Sequence, residues 1–308
     1  MLQYLIEQGA DVNAPIWDKP SSDTMYYGGT QYYGSSGPPH AMNRAGVIWN
    51  PLNAMLVAGS VEAVRVLIEH GANVHAQDSF GRTPMTIAIF DCPQAIELLL
   101  ASGVDINEQT RFGTPLLTAA RYQWPWPESN PQNSWIRFYN NHYIVLNTNE
   151  RVPVERIDEV LLVEQRNAVR ILIEKGADPN TRDSEGRNAL MLMSMESRRD
   201  KDVELTIEDR QTIEPSLLYR RRDRAVELIG ETLLNAGCDI NAADNKGRTP
   251  LMYAASFERP GVVNLLLKRG ANINAKDHNG ESAIDWARKS RNQEILGSFY
   301  SSLGYKAM

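Results

Sequence analysis

The chain has 308 residues, of which 42% are hydrophobic and 23% charged, and its 38 acidic and 32 basic residues give a net charge of −6. This composition is typical of a folded globular protein and excludes a wholly disordered or collagen-like chain. The acidic balance gives no overall attraction to nucleic acid or to an anionic membrane, so we predict neither as a partner.

The sequence also lacks the usual signals for membranes and export. No run approaches the ~18 apolar residues of a membrane span, and Glu7, Asp11 and Asp18 occupy the region where a signal peptide needs a basic start and an apolar middle. We expect a cytoplasmic protein, or a periplasmic or secreted one if an N-terminal segment has been removed. Cys92 and Cys238 are too few for a disulfide framework or a cysteine zinc site, and we expect two reduced thiols.

The first predicted element is a helix in "MLQYLIEQGADVN", which ends at Gly9. The same glycine-led ending recurs five times along the chain, starting at Gly71, Gly103, Gly176, Gly237 and Gly270. The successive spacings are 62, 32, 73, 61 and 33 residues. We interpret them as a unit of about 33 residues that is interrupted by three long insertions.

Each unit contains two predicted helices. The first begins with a hydroxyl residue followed by proline, as in Thr83-Pro84, Thr114-Pro115 and Thr249-Pro250, which are typical residues for an N-cap and a first helical position. Weaker copies begin at Asn50, Asn188 and Ser282. The second helix has apolar residues at helical spacing, as in "VEAVRVLIEHG", and ends at the glycine.

This pattern resembles the ankyrin repeat family, whose units of about 33 residues start their first helix with T-P-L-H-x-A. The fourth motif position departs from the family's histidine, being Thr86, Leu117 and Met252 in three units. The resemblance implies an all-α ankyrin-repeat solenoid over residues 1–308, with six two-helix repeats after a leading half repeat. We interpret the missing first helix of that half repeat as a truncation. The C-terminal "AIDWARKSRNQEILGSFYSSLG" fits a closing cap.

Insertion one covers about residues 14–49 and contains "DTMYYGGTQYYGSSGPPH". It falls between a second helix and the next first helix, where the family projects its hairpin fingers. Tyrosine mixed with glycine and serine is typical of antibody-type binding loops. Two interpretations stay open for this insertion, namely contact with a partner and self-packing or disorder.

Insertions two and three each follow a first helix. Insertion two covers about residues 122–164, and we predict a strand-like piece followed by a helix in a small subdomain. The stretches 14–49 and 122–150 together hold 13 of the chain's 24 aromatic residues. Insertion three covers about residues 196–222 and ends in an arginine-rich segment. We interpret these arginines as the solvated face of a helix rather than as a grip for phosphate or an acidic partner.

No catalytic or metal-binding pattern stands out. The five histidines lack zinc-ligand spacing, and the chain has no phosphate loop, nucleophile elbow or dinucleotide fingerprint. We therefore predict no enzymatic activity, no catalytic residues, no metal and no cofactor. An enzyme with its site in insertion two is the less favoured alternative.

The predicted function is non-covalent binding of another protein by a chain that is monomeric on its own. The predicted contacts combine insertion residues with positions in turns and first helices: Trp17, Tyr26, Tyr27, Tyr32, Tyr33, Trp49, Arg82, Phe112, Arg187, Arg248 and Tyr253. Secondary candidates in insertion two are Trp124, Trp126, Trp135, Tyr139 and Tyr143. The biological role stays open between a scaffold and a dedicated inhibitor, such as an immunity protein that neutralises a toxin or a secreted effector that captures a host protein.

Overall fold

A computed structural model describes residues 2–14, 50–78, 81–121, 166–195 and 226–303 in full, and the backbone of the strands and of residues 157–165. Contacts divide the chain into two compact units. Unit 1 comprises Met1–Val104 and Trp126–Val152, and unit 2 comprises Asp105–Pro125 and Pro153–Met308. Helices dominate the described residues of both units.

Unit 1 contains the first five helices, namely α1 (Leu2–Glu7), α2 (Pro51–Val57), α3 (Val61–Glu69), α4 (Pro84–Asp91) and α5 (Ile96–Ala101). The first helices α2 and α4 pack on each other, while α3 packs on α2 and α5 on α4. Fully buried side chains such as Leu52, Leu56, Ile87 and Leu99 fill the space between them. Each burial of this kind contributes about 1.5–3 kcal/mol.

Unit 2 repeats the same arrangement. Its helices are α6 (Pro115–Ala120), α7 (Ile157–Glu174), α8 (Ala189–Ser194), α9 (226–235), α10 (Pro250–Ser256), α11 (Pro260–Lys268), α12 (Ala283–Ser290) and α13 (Gln293–Ser302). The first helices α6, α8, α10 and α12 stack in that order, and α11 and α13 pack against α10 and α12 respectively. Helix α7 starts at Ile157, inside the stretch that the repeat length assigned to insertion two.

Five of the six predicted helix starts are confirmed by capping bonds, and the sixth helix begins after Thr249 as predicted. Oxygen atoms of Thr83 and Thr114 accept hydrogen bonds from the N–H groups three residues later, at 3.2 and 3.4 Å. Asn50, Asn188 and Ser282, the weaker copies, do the same. The glycines that end the second helices have φ between +85° and +94°, a conformation that glycine adopts without strain.

Asparagines four residues after the helix-ending glycine link neighbouring repeats inside each unit. In unit 1, Asn13 donates to Gly71 O at 3.1 Å and accepts from Asn73 N at 2.7 Å. In unit 2, Asn180 donates to Gly237 O at 3.1 Å and accepts from Asp239 N at 2.8 Å. These bonds satisfy turn backbone groups that stacking would otherwise leave without partners.

Seven short strands lie in the stretches assigned to insertions one and two: β1 (Ile16–Trp17), β2 (Tyr26–Tyr27), β3 (Thr30–Gln31), β4 (Ile48–Trp49), β5 (Ile136–Tyr139), β6 (His142–Val145) and β7 (Glu150–Pro153). Strands β1 and β4 pair antiparallel, and so do β2 and β3. Strands β5, β6 and β7 form a three-stranded sheet in that order. The helical repeats are therefore interrupted by local β-structure.

Candidate functional site

Each repeat presents a turn, here called a finger, just before its first helix. Three fingers share the sequence D-x-x-G-R, at Asp78–Arg82, Asp183–Arg187 and Asp244–Arg248. In each of them one carboxylate oxygen accepts from the backbone N–H of the arginine, at 2.8–2.9 Å, and the other accepts from its guanidinium. The ion pair therefore closes the finger and fixes the arginine relative to the first helix.

The three arginines differ in accessibility. The side chains of Arg187 and Arg248 are 12% and 22% exposed, whereas that of Arg82 is 1% exposed. We predicted Arg82 as a contact residue from the shared D-x-x-G-R pattern. The structure instead buries its guanidinium against Asp78, where it stabilises the finger and is inaccessible to a partner.

Tyr253 lies on α10, directly beneath Arg248. Its hydroxyl donates to Asp244 Oδ2 at 2.9 Å, the Arg248 guanidinium carbon lies 4.8 Å from the ring centroid, and Phe257 stacks on it at 6.4 Å. Burial, together with the bond to Asp244, raises the pKa of the Tyr253 hydroxyl. The ring is buried with Met191 and Ala242, so a partner would meet Arg248 and the half-buried Phe257 before it reached Tyr253.

Trp286 occupies the same position on α12 that Tyr253 occupies on α10, four residues after the N-cap. Its ring N–H donates to Asp277 Oδ2 at 3.2 Å, and the Lys289 ammonium lies 4.9 Å from its ring centroid. Lys289 also donates to both carboxylate oxygens of Glu281, at 2.5 and 2.6 Å. Our sequence prediction omitted Trp286 and Lys289, although alignment of the repeats would have identified the first of them.

Arg121, at the end of α6, was also absent from the predicted contacts. Its guanidinium donates to Asp183 Oδ2 at 3.0 Å, so Asp183 pairs with both Arg121 and Arg187. Burial alone would raise the pKa of Asp183, but the hydrogen bonds from Arg187 outweigh it and the pKa is lowered. Burial and the neighbouring Arg187 charge lower the pKa of Arg121.

Phe112, another predicted contact, lies in the finger that precedes α6. Thr110 replaces the aspartate there, and its hydroxyl oxygen accepts from the Phe112 N–H at 3.1 Å. The Arg111 guanidinium carbon lies 4.5 Å from the centroid of the half-buried Phe112 ring. A hydroxyl cannot form an ion pair, so this finger is closed by neutral hydrogen bonds.

Some of the aromatic candidates belong to the insertion strands, whose backbone the structure describes. Trp49 is the register partner of Ile16 and Trp17 that of Ile48, while Tyr26 and Tyr27 pair with Gln31 and Thr30. In the other sheet, Tyr139 pairs with His142 and Tyr143 with Phe138. Tyr32, Tyr33, Trp124, Trp126 and Trp135 lie outside the described residues.

The described side chains include no group of three or more His, Cys, Asp or Glu residues that could hold a metal ion. Within the same part of the chain no helix combines the length and apolar character that a membrane crossing requires. Cys92 and Cys238 are buried and not disulfide-bonded, and burial raises the pKa of the Cys238 thiol to about 12. Neither thiol contributes to the finger surface.

Stacked two-helix units with projecting fingers define an all-α repeat solenoid, a class of protein that binds other proteins. Two family models match the chain, one for ankyrin repeats in three copies over residues 34–110 and one for ankyrin repeats in many copies over residues 233–287. These two segments are ankyrin repeats, and the chain therefore contains an ankyrin-repeat array. A search of curated protein sequences finds no significant match.

Solved structures support the same fold. An ankyrin repeat domain, ABAYE2397 from Acinetobacter baumannii AYE, aligns with a TM-score of 0.51 and 19% identity over 83% of this chain and 98% of that chain. A chain of the complex between the Bd0816 predatory endopeptidase from Bdellovibrio bacteriovorus and immunity protein Bd3460 aligns with a TM-score of 0.50 and 19% identity, over 82% of this chain and 97% of that one. Ankyrin repeats imply protein–protein interaction as the general role.

Proposed function

We propose that this protein is a non-enzymatic module that binds one specific partner protein through the fingers and first helices of its repeats and through the aromatic insertions. The observation that carries the proposal is that the Arg187 and Arg248 side chains are held in place before any partner binds. Each guanidinium is fixed by the aspartate of its own finger and still reaches solvent. A side chain that is ordered before binding loses little entropy on binding, which favours affinity.

The insertions supply the second part of the proposed interface. Their tyrosine and tryptophan residues are of the types that dominate interface hot spots, and glycine and serine let the backbone adapt to a partner. Tyr26 and Tyr27 form strand β2, which pairs with β3, and this pairing supports a role for them in the proposed interface. The proposed contacts are Tyr26, Tyr27 and their neighbours, with Phe112, Arg187 and Arg248. Tyr253, predicted as a contact, is buried and supports Arg248 from below.

The experiment starts with the intact chain as bait. Bound proteins are identified by mass spectrometry, and each candidate is purified and titrated by isothermal calorimetry. Replacing Tyr26, Tyr27, Tyr32 and Tyr33 by alanine should weaken binding at least about tenfold and leave the melting temperature nearly unchanged.

The matched control replaces two tyrosines outside the insertions, Tyr4 and Tyr300, both of which are exposed on terminal helices. Their replacement should leave binding unchanged. If the insertion variant loses stability but binds normally, the rings pack on the repeats and the proposed interface is rejected. If no purified protein binds the wild-type chain, the function itself is rejected.

A second candidate function is dedicated inhibition, and the structural likeness to a chain of an endopeptidase–immunity protein complex favours considering it. Such an inhibitor, whether an immunity protein that neutralises a toxin or a secreted effector that captures a host protein, forms a tight one-to-one complex. Its partner's activity should be abolished at equimolar concentration. If the partner stays fully active in the saturated complex, inhibition is rejected and the scaffold role remains.

The absence of enzymatic activity stays a prediction. It is tested by assaying the intact chain against panels of hydrolase and transferase substrates. An activity that disappears when residues 122–164 are deleted would contradict it.

A further inference from the structure

One face of unit 2 carries a row of basic side chains above two aromatic rings. We call these basic side chains and the two rings beneath them the basic strip, which comprises Arg121, Arg187, Arg248, Tyr253, Trp286 and Lys289. Five of them belong to the fingers or first helices of unit 2, and Arg121 follows directly after α6. Arg121 and Arg187 share the Asp183 carboxylate, while Arg248 and Lys289 each lie over a ring.

In the ion pairs of the basic strip, the finger aspartates are more deeply buried than the basic side chains. The carboxylate side chains of Asp183 and Asp244 are 5% and 0% exposed, whereas those of Arg121 and Lys289 are 37% and 57% exposed. The carboxylates are buried below and the cationic groups face solvent. A partner approaching this face therefore meets positive charge, although the chain as a whole is acidic.

The exposed finger tips add to this positive field. Lys246 and Lys276 are exposed in the fingers before α10 and α12. Glu185, 53% exposed, is the opposing charge at the tip beside Arg187, and Glu281 is partly exposed beside Lys289. Glu185 also acts electrostatically on Arg121, and Asp285, 42% exposed, acts on Lys276. The six cations of the strip and the finger tips still outnumber the three accessible carboxylates of Glu185, Glu281 and Asp285.

The two rings are held in place from two sides. Tyr253 and Trp286 each donate a hydrogen bond to a finger aspartate and each have a cation above the ring. Half-buried Met195 and Phe257 pack beside Tyr253 and add apolar surface at the same place. Cationic groups over fixed rings next to an apolar patch suit a segment that carries carboxylates and large apolar side chains together.

One edge of two strip guanidinium groups is already occupied. Nε and Nη2 of both Arg187 and Arg248 are engaged by their finger aspartates, at 2.7–2.8 Å. The Nε–Nη2 edge, one of the two guanidinium edges that bind a carboxylate or a phosphate bidentately, is therefore already occupied. Single donors such as the Lys289 ammonium and Arg121 suffice for the isolated carboxylates of a polypeptide.

We propose that the basic strip binds an acidic segment of the partner protein, in which glutamate or aspartate side chains alternate with aromatic or large aliphatic ones. This inference rests on the proposed function and specifies the chemistry of the partner. Electrostatic attraction sets the approach, and the apolar side chains pack against Phe257, Met195 and the Trp286 edge.

The test uses defined probes on the full chain. A short fluorescein-labelled peptide of alternating glutamate and phenylalanine is compared with its lysine-for-glutamate counterpart and with a single-stranded thymidine oligonucleotide of equal charge. Fluorescence anisotropy measures the Kd of each probe at low and physiological salt. The acidic peptide should bind at least about tenfold more tightly than the other two, and its binding should weaken as salt screens the charges.

A double variant, Arg121→Gln with Lys289→Gln, removes two exposed charges of the strip. Its control, Arg170→Gln with Lys268→Gln, removes one arginine and one lysine from the exposed surface of α7 and α11. The strip variant should weaken peptide binding about tenfold, and the control should leave it within about twofold. Circular dichroism confirms that both variants are folded.

Three outcomes overturn the proposal: no binding of the acidic peptide, equal losses in strip and control variants, or tighter binding of the oligonucleotide. The partner identified by affinity purification separates this failure from failure of the function. If that partner binds the wild-type chain and the strip variant equally well, the module function stands and the basic strip is not its acidic-segment site.

Discussion

Replacing Asp244 by asparagine tests whether the buried finger carboxylate is what positions Arg248 and Tyr253. The carboxylate accepts hydrogen bonds from the backbone N–H groups of Lys246 and Arg248, both at 2.8 Å, from Arg248 Nε at 2.8 Å and from the Tyr253 hydroxyl at 2.9 Å. An asparagine oxygen can serve the backbone groups. Its amide nitrogen then faces the arginine donors, and flipping the amide only moves the conflict to the backbone.

The expected cost follows from these contacts. Breaking a buried ion pair by removing one partner costs about 3–5 kcal/mol, and the 22% exposure of Arg248 lets water recover part of that. We expect Asp244→Asn to lower the free energy of unfolding by about 2–4 kcal/mol. Asp277→Asn is the control, because the second oxygen of Asp277 accepts only the Trp286 N–H among the described contacts, and we expect a loss of about 1 kcal/mol.

Urea unfolding followed by circular dichroism measures both variants at neutral pH. Since solenoid unfolding need not be two-state, hydrogen exchange over residues 244–253 locates the loss. Equal costs for the two variants, or a loss for Asp244→Asn below about 0.5 kcal/mol, would refute the reasoning.

The same carboxylates predict an acid transition. Burial would raise the pKa of Asp244, but the hydrogen bonds from Arg248 outweigh it and lower the pKa, as Arg187 does for Asp183. A carboxyl whose folded pKa is below the unfolded value of about 3.9 contributes stability above that value and loses it as the pH falls through the folded pKa. The wild type should therefore lose stability below about pH 4, and Asp244→Asn should lose less over the same range, by circular dichroism.

Three further substitutions test the packing of the repeats. Gly247→Ala should lower the melting temperature by more than Gly280→Ala. Both glycines have positive φ, but an added Cβ at Gly247 would lie 2.7 Å from a His278 ring carbon, whereas Gly280 faces open space. Equal shifts of the melting temperature would contradict this packing argument. Asn180→Ala should cost about 1–2 kcal/mol in urea unfolding, since it removes the bonds to Gly237 and Asp239; an unchanged midpoint would show that these bonds add nothing. Asn53→Leu should raise stability by about 1 kcal/mol, because the Asn53 amide is buried and no described residue forms a hydrogen bond with its side-chain atoms. A loss of stability would show that the amide is bonded.

The helical repeat could be predicted because its signals are local. A hydroxyl or amide N-cap satisfies the first backbone donors of a helix, and a glycine is needed where the chain leaves it with positive φ. These requirements act within a few residues, as the bonds of Thr83 and Thr114 confirm. The start of α7 was less predictable, because "IDEVLLVEQRNAVRILIE" is one amphipathic stretch and the repeat length gave no reason to extend the helix back to Ile157.

The accessibility of the candidate site residues could not be predicted from these local sequence signals. Arg82, Arg187 and Arg248 share one sequence pattern and one ion-pair geometry, and only the surrounding packing makes the first inaccessible. Arg121 was missed for the opposite reason. Its partner Asp183 is 62 residues away in the sequence, beyond the reach of any local pattern.

The finger aspartates couple the stability of unit 2 to its proposed binding surface. Burying Asp183 and Asp244 is tolerated because arginines pair with them, and those pairs orient the arginines towards solvent. Replacing Arg248 would therefore remove a binding group and leave the buried Asp244 carboxylate without its cation, whereas Asp183 would still pair with Arg121 if Arg187 were replaced. Arg121 and Lys289 lie in more exposed pairs, whose loss costs little stability. A binding defect at Arg121 and Lys289 in a fully stable protein would thus report on recognition alone, whereas a defect at Arg248 would combine recognition with folding.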